Sequence, residues 1–497
     1  MYPMYLDGEP VETAETFASY EPATGAEFAR LARAGEAEVD RAVDAARRAF
    51  DAGPWPRMSA AERADVLDRV AARLAADADR LADLEVRDSG ATIRRATAAD
   101  LPGTRAAFEW SAWWARGLAD TEPAGGPAGP PAPGEYLRWH PVGVVATFVP
   151  WNFPLLLAAW RIAPAIAAGN TCVVKPASFT SVTACELVRI LHEAGLPPGV
   201  VNLVLGPGAV VGDALTRDPR VDMSSFTGSN EVGEQVLAAA AGTGQRVRLD
   251  LGGKSANLVL ADADLDRAVA GALWGGLLHN GQICMAGSRV LVHRDRHAEF
   301  LDRFRERAGK LVLGDPASAQ TDLGPLVSRQ QVRTVARYVK LGVEQGATVV
   351  CGGTRPDAAE LPPELDAKAY FRPTALADVR CDNVVFREEI FGPVVAVTPF
   401  DSDEHAVALA NNSRYHLAGA VWSTDPERAW RVADRLRADK VWVNDYRMVD
   451  DARPDPAAPP SAADRVRNEL DEYRTVRRVH VAPPGYDNPL HPVLGIR

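Results

Sequence analysis

The chain has 497 residues, of which 47% are hydrophobic and 24% are charged, as is typical of a globular protein with two or three domains. Its net charge of −11 and pI near 5.4 argue against a general nucleic-acid or anionic-membrane binder. The five cysteines lack the spacing of a disulfide framework or a zinc site, and the N-terminus has no signal-peptide pattern. We therefore predict a cytoplasmic protein without a metal site.

The first third of the chain is predicted to be mainly helical. Residues 1–35 predict an exposed lead-in with short strands. From Glu36 to about Trp114 apolar residues recur at helical spacing, and Ser59 with Glu62 predicts a capping box. Residues 121–134 then contain nine Pro or Gly in fourteen positions, which predicts a linker or excursion.

Strands and helices alternate after this break. The almost wholly apolar span 142–160 is interrupted by Pro150, Asn152 and Pro154, so we predict a strand and a helix there, not a membrane span. Further strands are predicted at 171–174, 200–205, 223–226, 247–249, 288–292, 348–350, 394–400 and 440–444. Such short strands between helices predict an α/β fold built on parallel sheets.

One cysteine lies in a stretch that could carry chemistry. Cys284 follows a glycine turn and precedes small residues, Arg289 and a strand. A thiolate at such a place can attack a carbonyl, and the adduct becomes a thioester when a hydride leaves. A buried structural cysteine is the alternative interpretation.

Other stretches offer chemistry beside a plain structural alternative. Asn152, between two prolines, could donate to an oxyanion or cap the next helix. Lys175 ends a strand, where parallel sheets bind ligands, or is a surface lysine. The strand–turn–helix at 226–233 suits a pyrophosphate but resembles any tight turn. Asp250 is a general base or a structural carboxylate. One carboxylate of the pair Glu388 and Glu389 could hold a ribose hydroxyl pair, or the two could lie in a solvated acidic turn.

These stretches, taken together, resemble the NAD(P)-dependent aldehyde dehydrogenase superfamily. Five motifs carry the resemblance, in this order along the chain: Pro-Trp-Asn-Phe-Pro, Phe-Thr-Gly-Ser, Leu-Gly-Gly-Lys, Gly-Gln-Ile-Cys and Glu-Glu-Ile-Phe-Gly-Pro. The resemblance runs from about residue 5 to about 480. It implies a Rossmann-like parallel-sheet cofactor domain, a second α/β catalytic domain and a small β-hairpin oligomerisation element. The implied cofactor domain comprises residues 1–120 and 141–250, and the implied catalytic domain comprises residues 251–448. The oligomerisation element comprises residues 121–140 and 474–497. Residues 449–473 form a variant substrate-side segment that returns to the cofactor domain.

The resemblance also implies a role for each matching residue. Cys284 matches the nucleophile, Asn152 the oxyanion donor and Asp250 the general base. The positions that match cofactor contacts are Lys175, Ser178, Gly228, Ser229, Glu389, Phe391 and Trp151. The positions that match the substrate tunnel are Phe153, Leu157, Trp160, Ile283 and Met285. For the nucleophile we expect a low thiol pKa.

Three departures from the family pattern affect these expectations. Asp250 stands where the family has Glu, which withdraws the carboxylate by one methylene. Ser178 stands where the family has a ribose-binding Glu, so NADP should be accepted beside NAD. The family's C-terminal substrate-wall segment is replaced by 452–464, with Asp464 at the position of its Glu.

The leading hypothesis is oxidation of an aldehyde to a carboxylic acid with NAD or NADP. The apolar tunnel positions favour an apolar or aromatic aldehyde. There are two alternatives: an enzyme that transfers the acyl group to coenzyme A, and a non-catalytic oligomer that binds the cofactor. We expect a homodimer or homotetramer with no nucleic-acid or membrane partner.

Overall fold

The structure, a computed structural model, describes residues 1–117, 120–123, 134–447 and 469–482. The strands are β1 Met4–Leu6, β2 Glu9–Val11, β3 Thr16–Tyr20, β4 Glu27–Ala32, β5 Thr121–Pro123, β6 Glu135–Pro141, β7 Val144–Val149, β8 Thr171–Pro176, β9 Val201–Leu203, β10 Met223–Gly228, β11 Arg246–Leu251, β12 Ala256–Val259, β13 Arg289–His293, β14 Thr348–Cys351, β15 Thr374–Ala377, β16 Val394–Phe400, β17 Ala418–Trp422, β18 Lys440–Val443 and β19 Arg474–His480. The helices are α1 Glu36–Asp51, α2 Ala60–Ala76, α3 Ala78–Ser89, α4 Ile93–Arg95, α5 Leu101–Gly117, α6 Pro154–Ala167, α7 Val182–Glu193, α8 Asp213–Arg217, α9 Asn230–Thr243, α10 Leu265–Leu277, α11 Arg294–Ala308, α12 Arg329–Glu344, α13 Val384–Arg387, α14 Asp403–Asn411 and α15 Pro426–Ala433.

The first large sheet has the order β11-β10-β7-β8-β9-β1-β2. Strands β7 to β11 run parallel, because helices carry the chain back between them, whereas β1 and β2 pair antiparallel at one edge. From β7 the chain proceeds through β8 and β9 in one direction and then returns to β10 and β11 on the other side. The order therefore reverses between β7 and β10, and such a switch point is where open α/β sheets bind ligands.

The second large sheet has the order β14-β15-β16-β13-β12-β17-β18. All its neighbours are parallel except β14, which is antiparallel to β15. Apolar side chains cover both faces of this sheet, as expected for parallel strands buried between helix layers. The predicted parallel α/β architecture is confirmed.

A small antiparallel sheet lies apart from the two large ones. Strands β5 and β6 form a hairpin, and β19 pairs along β6 from Arg474–Pro141 to His480–Glu135. The predicted hairpin is thus part of a three-stranded sheet. The remainder of the predicted oligomerisation element, at 124–133 and 483–497, lies outside the described residues.

The prediction of an N-terminal lead-in with short strands is right about the strands β1 to β4 and wrong about their exposure. Met4 and Leu31 are completely buried, because β1 joins the first large sheet and β4 pairs with β3 against the helices. By contrast, the predicted capping box at Ser59 and Glu62 is present at the start of α2. No helix within the described ranges has the length and apolarity needed to cross a membrane.

Candidate active site

Asn152 lies in the turn that follows β7, at the switch point of the first sheet. Its side chain is buried, and Nδ2 donates a 2.9 Å hydrogen bond to the carbonyl oxygen of Gln282. Gln282 precedes Cys284 by two residues, so this bond ties the Asn152 turn to the cysteine loop. The arrangement brings an amide donor and a thiol to one place from residues more than 100 positions apart in the chain.

The loop that carries Cys284 is shaped by consecutive left-handed residues. His279, Asn280 and Gly281 have φ of 49°, 55° and 64°. The first two are buried side chains in a region that L residues rarely adopt, and a Cβ at Gly281 would collide with the carbonyl oxygen of Gly392. Asn280 supports the turn by donating to the carbonyls at Gly324 and Pro325 at 3.1 and 3.0 Å. This turn redirects the chain after α10 and presents Cys284.

The Cys284 thiol lies in an environment that disfavours its thiolate. Burial first, and then the charges of Asp250 and Glu389, raise the pKa of Cys284 to about 12. The expected low pKa is therefore wrong for this arrangement, because the charges that act on the thiol are carboxylates and not cations. A nucleophilic role requires a change in the burial of the sulfur, or in the charge near it, before or during attack.

Asp250, the last but one residue of β11, is paired with a buried arginine. Arg161 of α6 is 3% exposed, its Nη2 contacts Asp250 Oδ2, and its Nε donates to Thr227 Oγ1 at 3.1 Å. Thr227 and Asp250 are register partners on β10 and β11. Burial raises the pKa of Asp250, with Arg248 and Lys440 acting in the opposite direction. The contact with Arg161 fixes the carboxylate's orientation and favours its charged form.

The residues predicted to hold a dinucleotide line the carboxyl ends of β8 and β10. Lys175 is buried, its Nζ donates to the carbonyl of Pro176 at 2.8 Å, and burial lowers its pKa to about 8. Ser178 is half-buried and donates to the carbonyl of Gly206 at 3.0 Å. Gly228 ends β10, and the exposed Ser229 caps the 14-residue helix α9. An ammonium and a helix N-terminus at this edge fit a pyrophosphate and a ribose.

The second half of the predicted cofactor set comes from the other large domain. Glu389 accepts a 3.0 Å hydrogen bond from the Gly253 N–H, and burial raises its pKa to about 7. Phe391 packs edge-on against Trp151, with ring centroids 5.1 Å apart. A Cβ at Gly252 would collide with the Glu389 carboxylate, so the glycine is required for this close approach. The two predicted groups therefore meet across the junction of the sheets.

An apolar cavity of about 600 Å³ opens in front of Cys284. Cys284 and Asn152 both line it, together with all five residues predicted for the substrate pocket, Phe153, Leu157, Trp160, Ile283 and Met285. Leucines and a tryptophan that the sequence did not single out complete the apolar wall: Leu156, Leu273, Trp274, Leu277, Leu278, Leu311 and Leu323. Asp250 is not among the lining residues, so the carboxylates approach the thiol from another side.

Charged side chains also reach this cavity, but each one in the described part of the chain is already paired. The pairs and their distances are Arg94 with Asp322 at 2.5 Å, Arg95 with Asp100 at 2.8 Å, and Arg307 with Asp266 at 2.5 Å. On the part of this wall that the structure describes, an aldehyde with its own charge would find no unpaired counter-charge. The predicted substrate-side segment 449–473, including Asp464, lies outside the described residues except for 469–473.

Two functional candidates were missed from the sequence. Arg161 is the only charged residue in α6, and that isolation inside an apolar helix was a usable signal. Arg95 had no such signal, since it stands in a polar, arginine-rich stretch. The structure alone shows that it contacts the Asn152 turn.

The comparison with protein families agrees with this geometry. The aldehyde dehydrogenase family matches residues 10–456. The chain belongs to the aldehyde dehydrogenase family. The predicted family and the prediction of an NAD(P)-dependent aldehyde dehydrogenase are thereby confirmed.

Named relatives of this aldehyde dehydrogenase cover nearly its whole length. It is 41% identical over 448 residues to betaine aldehyde dehydrogenase of Bacillus subtilis (strain 168), covering 89% of each chain. It is 41% identical over 451 residues to 2-hydroxymuconic semialdehyde dehydrogenase of Pseudomonas sp. (strain CF600), covering 90% of this chain and 92% of the relative. The crystal structure of betaine aldehyde dehydrogenase of Staphylococcus aureus in complex with NAD+ is 33% identical, with a TM-score of 0.90 and coverage of 98% and 96%.

Proposed function

We propose that this aldehyde dehydrogenase oxidises an apolar or aromatic aldehyde to its carboxylic acid through a covalent adduct on Cys284. The observation that carries the proposal is the shared cavity: Cys284 and Asn152 line one apolar space, and a 2.9 Å hydrogen bond joins their loops. A carbonyl bound there can be attacked by the sulfur while the Asn152 amide donates to the developing oxyanion.

Each residue of the site has a part in this reaction. Cys284 forms a thiohemiacetal with the aldehyde, and Asn152 stabilises the negative oxygen. The bound nicotinamide supplies a hydride acceptor. Loss of the hydride leaves a thioester on Cys284, which water then hydrolyses to release the acid. Asp250 takes the proton from that water, with Arg161 holding the shorter carboxylate in place.

Because the pKa of Cys284 is raised, the site must stabilise its thiolate before the sulfur attacks the carbonyl. The carboxylates of Asp250 and Glu389 act on the thiol, so a proton on either of them, or a displacement of Glu389, favours the thiolate. Glu389 is suited to such a change, since its own pKa is raised to about 7.

For the cofactor we propose that both NAD and NADP are used. Lys175 supplies a cation near the position expected for the adenine ribose, and Ser178 supplies a hydroxyl in place of a carboxylate. A carboxylate would accept from the 2′-hydroxyl of NAD and repel the 2′-phosphate of NADP. A relative of known structure binds NAD+, which supports NAD as one of the two.

The apolar cavity supports the substrate class. Two relatives act on betaine aldehyde and 2-hydroxymuconic semialdehyde, which are charged compounds. In this chain the charged groups on the described cavity wall are paired with each other, whereas the remaining wall is largely leucine and aromatic. Burial of an apolar aldehyde there gains about 25 cal/mol per Å² without desolvating a charge.

We also propose a homodimer or homotetramer whose interface uses the three-stranded sheet, and a cytoplasmic location. Among the described strands β19 lies at the edge of the three-stranded sheet, beside β6, and an edge strand can pair with another chain. Sedimentation at micromolar concentration tests the assembly, and a 53.3 kDa species alone would contradict it.

The proposed function is tested by following absorbance at 340 nm over a panel of aldehydes. The panel contains benzaldehyde, hexanal, betaine aldehyde and a carboxylated semialdehyde, each with NAD and with NADP, with and without coenzyme A. We expect the highest kcat/KM for the two apolar aldehydes and no requirement for coenzyme A. A reaction that depends on coenzyme A, or a preference for a charged aldehyde, would overturn the corresponding part of the proposal.

A further inference from the structure

Arg95 is a buried arginine that lies directly behind the Asn152 turn. Its side chain is 3% exposed, and Nη1 donates to the backbone carbonyl oxygen of Asn152 at 3.4 Å. The guanidinium also lies over the ring of Phe153, 4.4 Å from its centroid, within the range of a cation–π contact. One side chain thus touches two consecutive residues of the turn that carries the amide donor.

The guanidinium is held in place by a carboxylate from its own segment. A single π-helical turn, Ala96–Asp100, follows α4 and brings Asp100 back to Arg95, where Oδ2 accepts from Nε at 2.9 Å. Such turns are frequent at functional sites. Because the pair is almost completely buried, removal of either partner would leave an uncompensated charge. Arg95 is therefore fixed on the side away from Asn152.

A second buried carboxylate, Glu85, lies 4.0 Å from the same guanidinium. Burial and the neighbouring Asp100 raise the pKa of Glu85 to about 8, while Arg95 acts in the opposite direction. Burial raises the pKa of Asp100 as well, and Arg95 again acts in the opposite direction. The two carboxyls thus give the buried arginine counter-charge in the interior beside the cavity.

The Asn152 turn is thereby anchored on both of its sides. On the cavity side the amide of Asn152 donates to Gln282, and on the inner side its carbonyl accepts from Arg95. The ring of Phe153 lies between Arg95 and His279, whose ring centroid is 5.3 Å away. Without the inner anchor, fewer contacts hold the backbone of the turn at Asn152, and a shift of its Cα moves the amide donor with it.

We infer that Arg95 is a positioning residue for this reaction, which holds the backbone of Asn152 so that its amide is aimed at the oxyanion. This inference rests on the proposed function, in which Asn152 stabilises the thiohemiacetal oxygen. Arg95 also lines the cavity, but in this role it acts through the turn and not on the reacting atoms. Displacement of a catalytic donor by a fraction of an ångström is enough to slow the chemical step.

A double-mutant cycle tests the inference. Arg95→Lys keeps a cation for Asp100 but loses the fork that reaches both Asp100 and the Asn152 carbonyl. The single-turnover rate of NADH formation is measured at saturating acetaldehyde, which is too small to depend on the cavity wall. We expect Arg95→Lys to slow this step about tenfold in the parent enzyme and less than about twofold in an Asn152→Ala background.

Controls separate positioning from general damage to the fold. Arg63→Met removes another buried guanidinium, which donates to the carbonyls of Ala167 and Met58 at 2.9 and 2.6 Å but lies away from the cavity. It should lower the melting temperature without slowing NADH formation by more than about twofold. NAD binding and the melting temperature show whether Arg95→Lys is folded. If Arg95→Lys is not folded, the double variant Arg95→Met/Asp100→Asn takes its place, because it removes both charges of the pair together.

The possible outcomes are distinct. An equal loss of rate in both backgrounds, or no loss in either, would overturn the inference while leaving the proposed function intact. A parent enzyme that forms no NADH or NADPH with any aldehyde would overturn the proposed function, and this inference with it.

Discussion

Two groups of residues lie on different sides of Cys284, and they differ in the charge that they carry. The cavity side is lined by leucines and aromatics, and its charged residues are paired within the described structure. The carboxylate side consists of Asp250 and Glu389, and burial raises the pKa of both carboxyls. Their charges, together with burial of the thiol, raise the pKa of Cys284. In the proposed reaction, substrate selection and proton transfer therefore lie on different sides of the sulfur, so each can be changed alone.

The largest effect is expected where the two sides meet, at the sulfur itself. Cys284→Ala should lower turnover by at least about 10⁴-fold, because no adduct can form, and should leave cofactor binding intact. Cofactor binding is measured by quenching of tryptophan fluorescence. Cys381→Ala, which removes an exposed cysteine, is the matched control with unchanged activity. Substantial dehydrogenase activity in Cys284→Ala would contradict the covalent mechanism.

A change confined to the carboxylate side should separate the two half-reactions. Asp250→Asn keeps an acceptor for Arg161 but cannot take a proton, so the rapid burst of NADH should persist while the steady rate falls about 100-fold. Stopped-flow absorbance at 340 nm measures both phases. If the variant turns over like the parent, Asp250 is not the base, and Glu388 and Asp464 become the carboxylates to substitute next.

A change confined to the cavity side should affect selection and leave the chemistry in place. Leu157→Asn places an amide in the apolar wall and should lower kcat/KM for benzaldehyde about 30-fold, since the amide must be desolvated without a partner. Acetaldehyde, which does not fill the cavity, serves as the internal control. A similar loss for both aldehydes would mean that Leu157 acts on the reaction and not on selection.

The cofactor end of the site offers a smaller effect. Ser178→Glu places a carboxylate near the 2′ position and should weaken NADP binding about tenfold, with little change for NAD. Titration of each cofactor by fluorescence gives both dissociation constants. Ser178→Gln has the same length without the charge and should leave NADP binding within about twofold of the parent. Equal weakening by both variants would show a steric effect.

The smallest expected effect is on the reactivity of the free thiol. With the pKa of Cys284 at about 12, its thiolate fraction and its alkylation rate should rise about tenfold per pH unit between about pH 7 and 10. Asp250→Asn removes one of the two carboxylates that raise this pKa, so alkylation at pH 8 should become faster, on the order of threefold. Iodoacetamide labelling read by mass spectrometry measures the rate. A slower rate in the variant would contradict the proposed charge environment.

Much of the fold was readable because it depends on local patterns. Strands such as Val394–Phe400 matched their apolar runs residue for residue, and the capping box at Ser59 followed from two side chains three positions apart. The N-terminal strands were misjudged as exposed, since a three-residue strand such as Met4–Leu6 is too short to show which partner will cover it.

The structure places Cys284, Asn152 and the five predicted pocket residues around one cavity, but the charges around Cys284 were not predicted. The sequence by itself determined which residues are present, in what order, and therefore the family, because each motif is contiguous. Only the tertiary structure decided that Arg161 contacts Asp250, that Arg95 lies behind Asn152, and that Cys284 faces carboxylates. The physical reason is that pKa values, ion pairs and cavity walls depend on distances of a few ångströms between residues tens to hundreds of positions apart, and no local pattern encodes those distances.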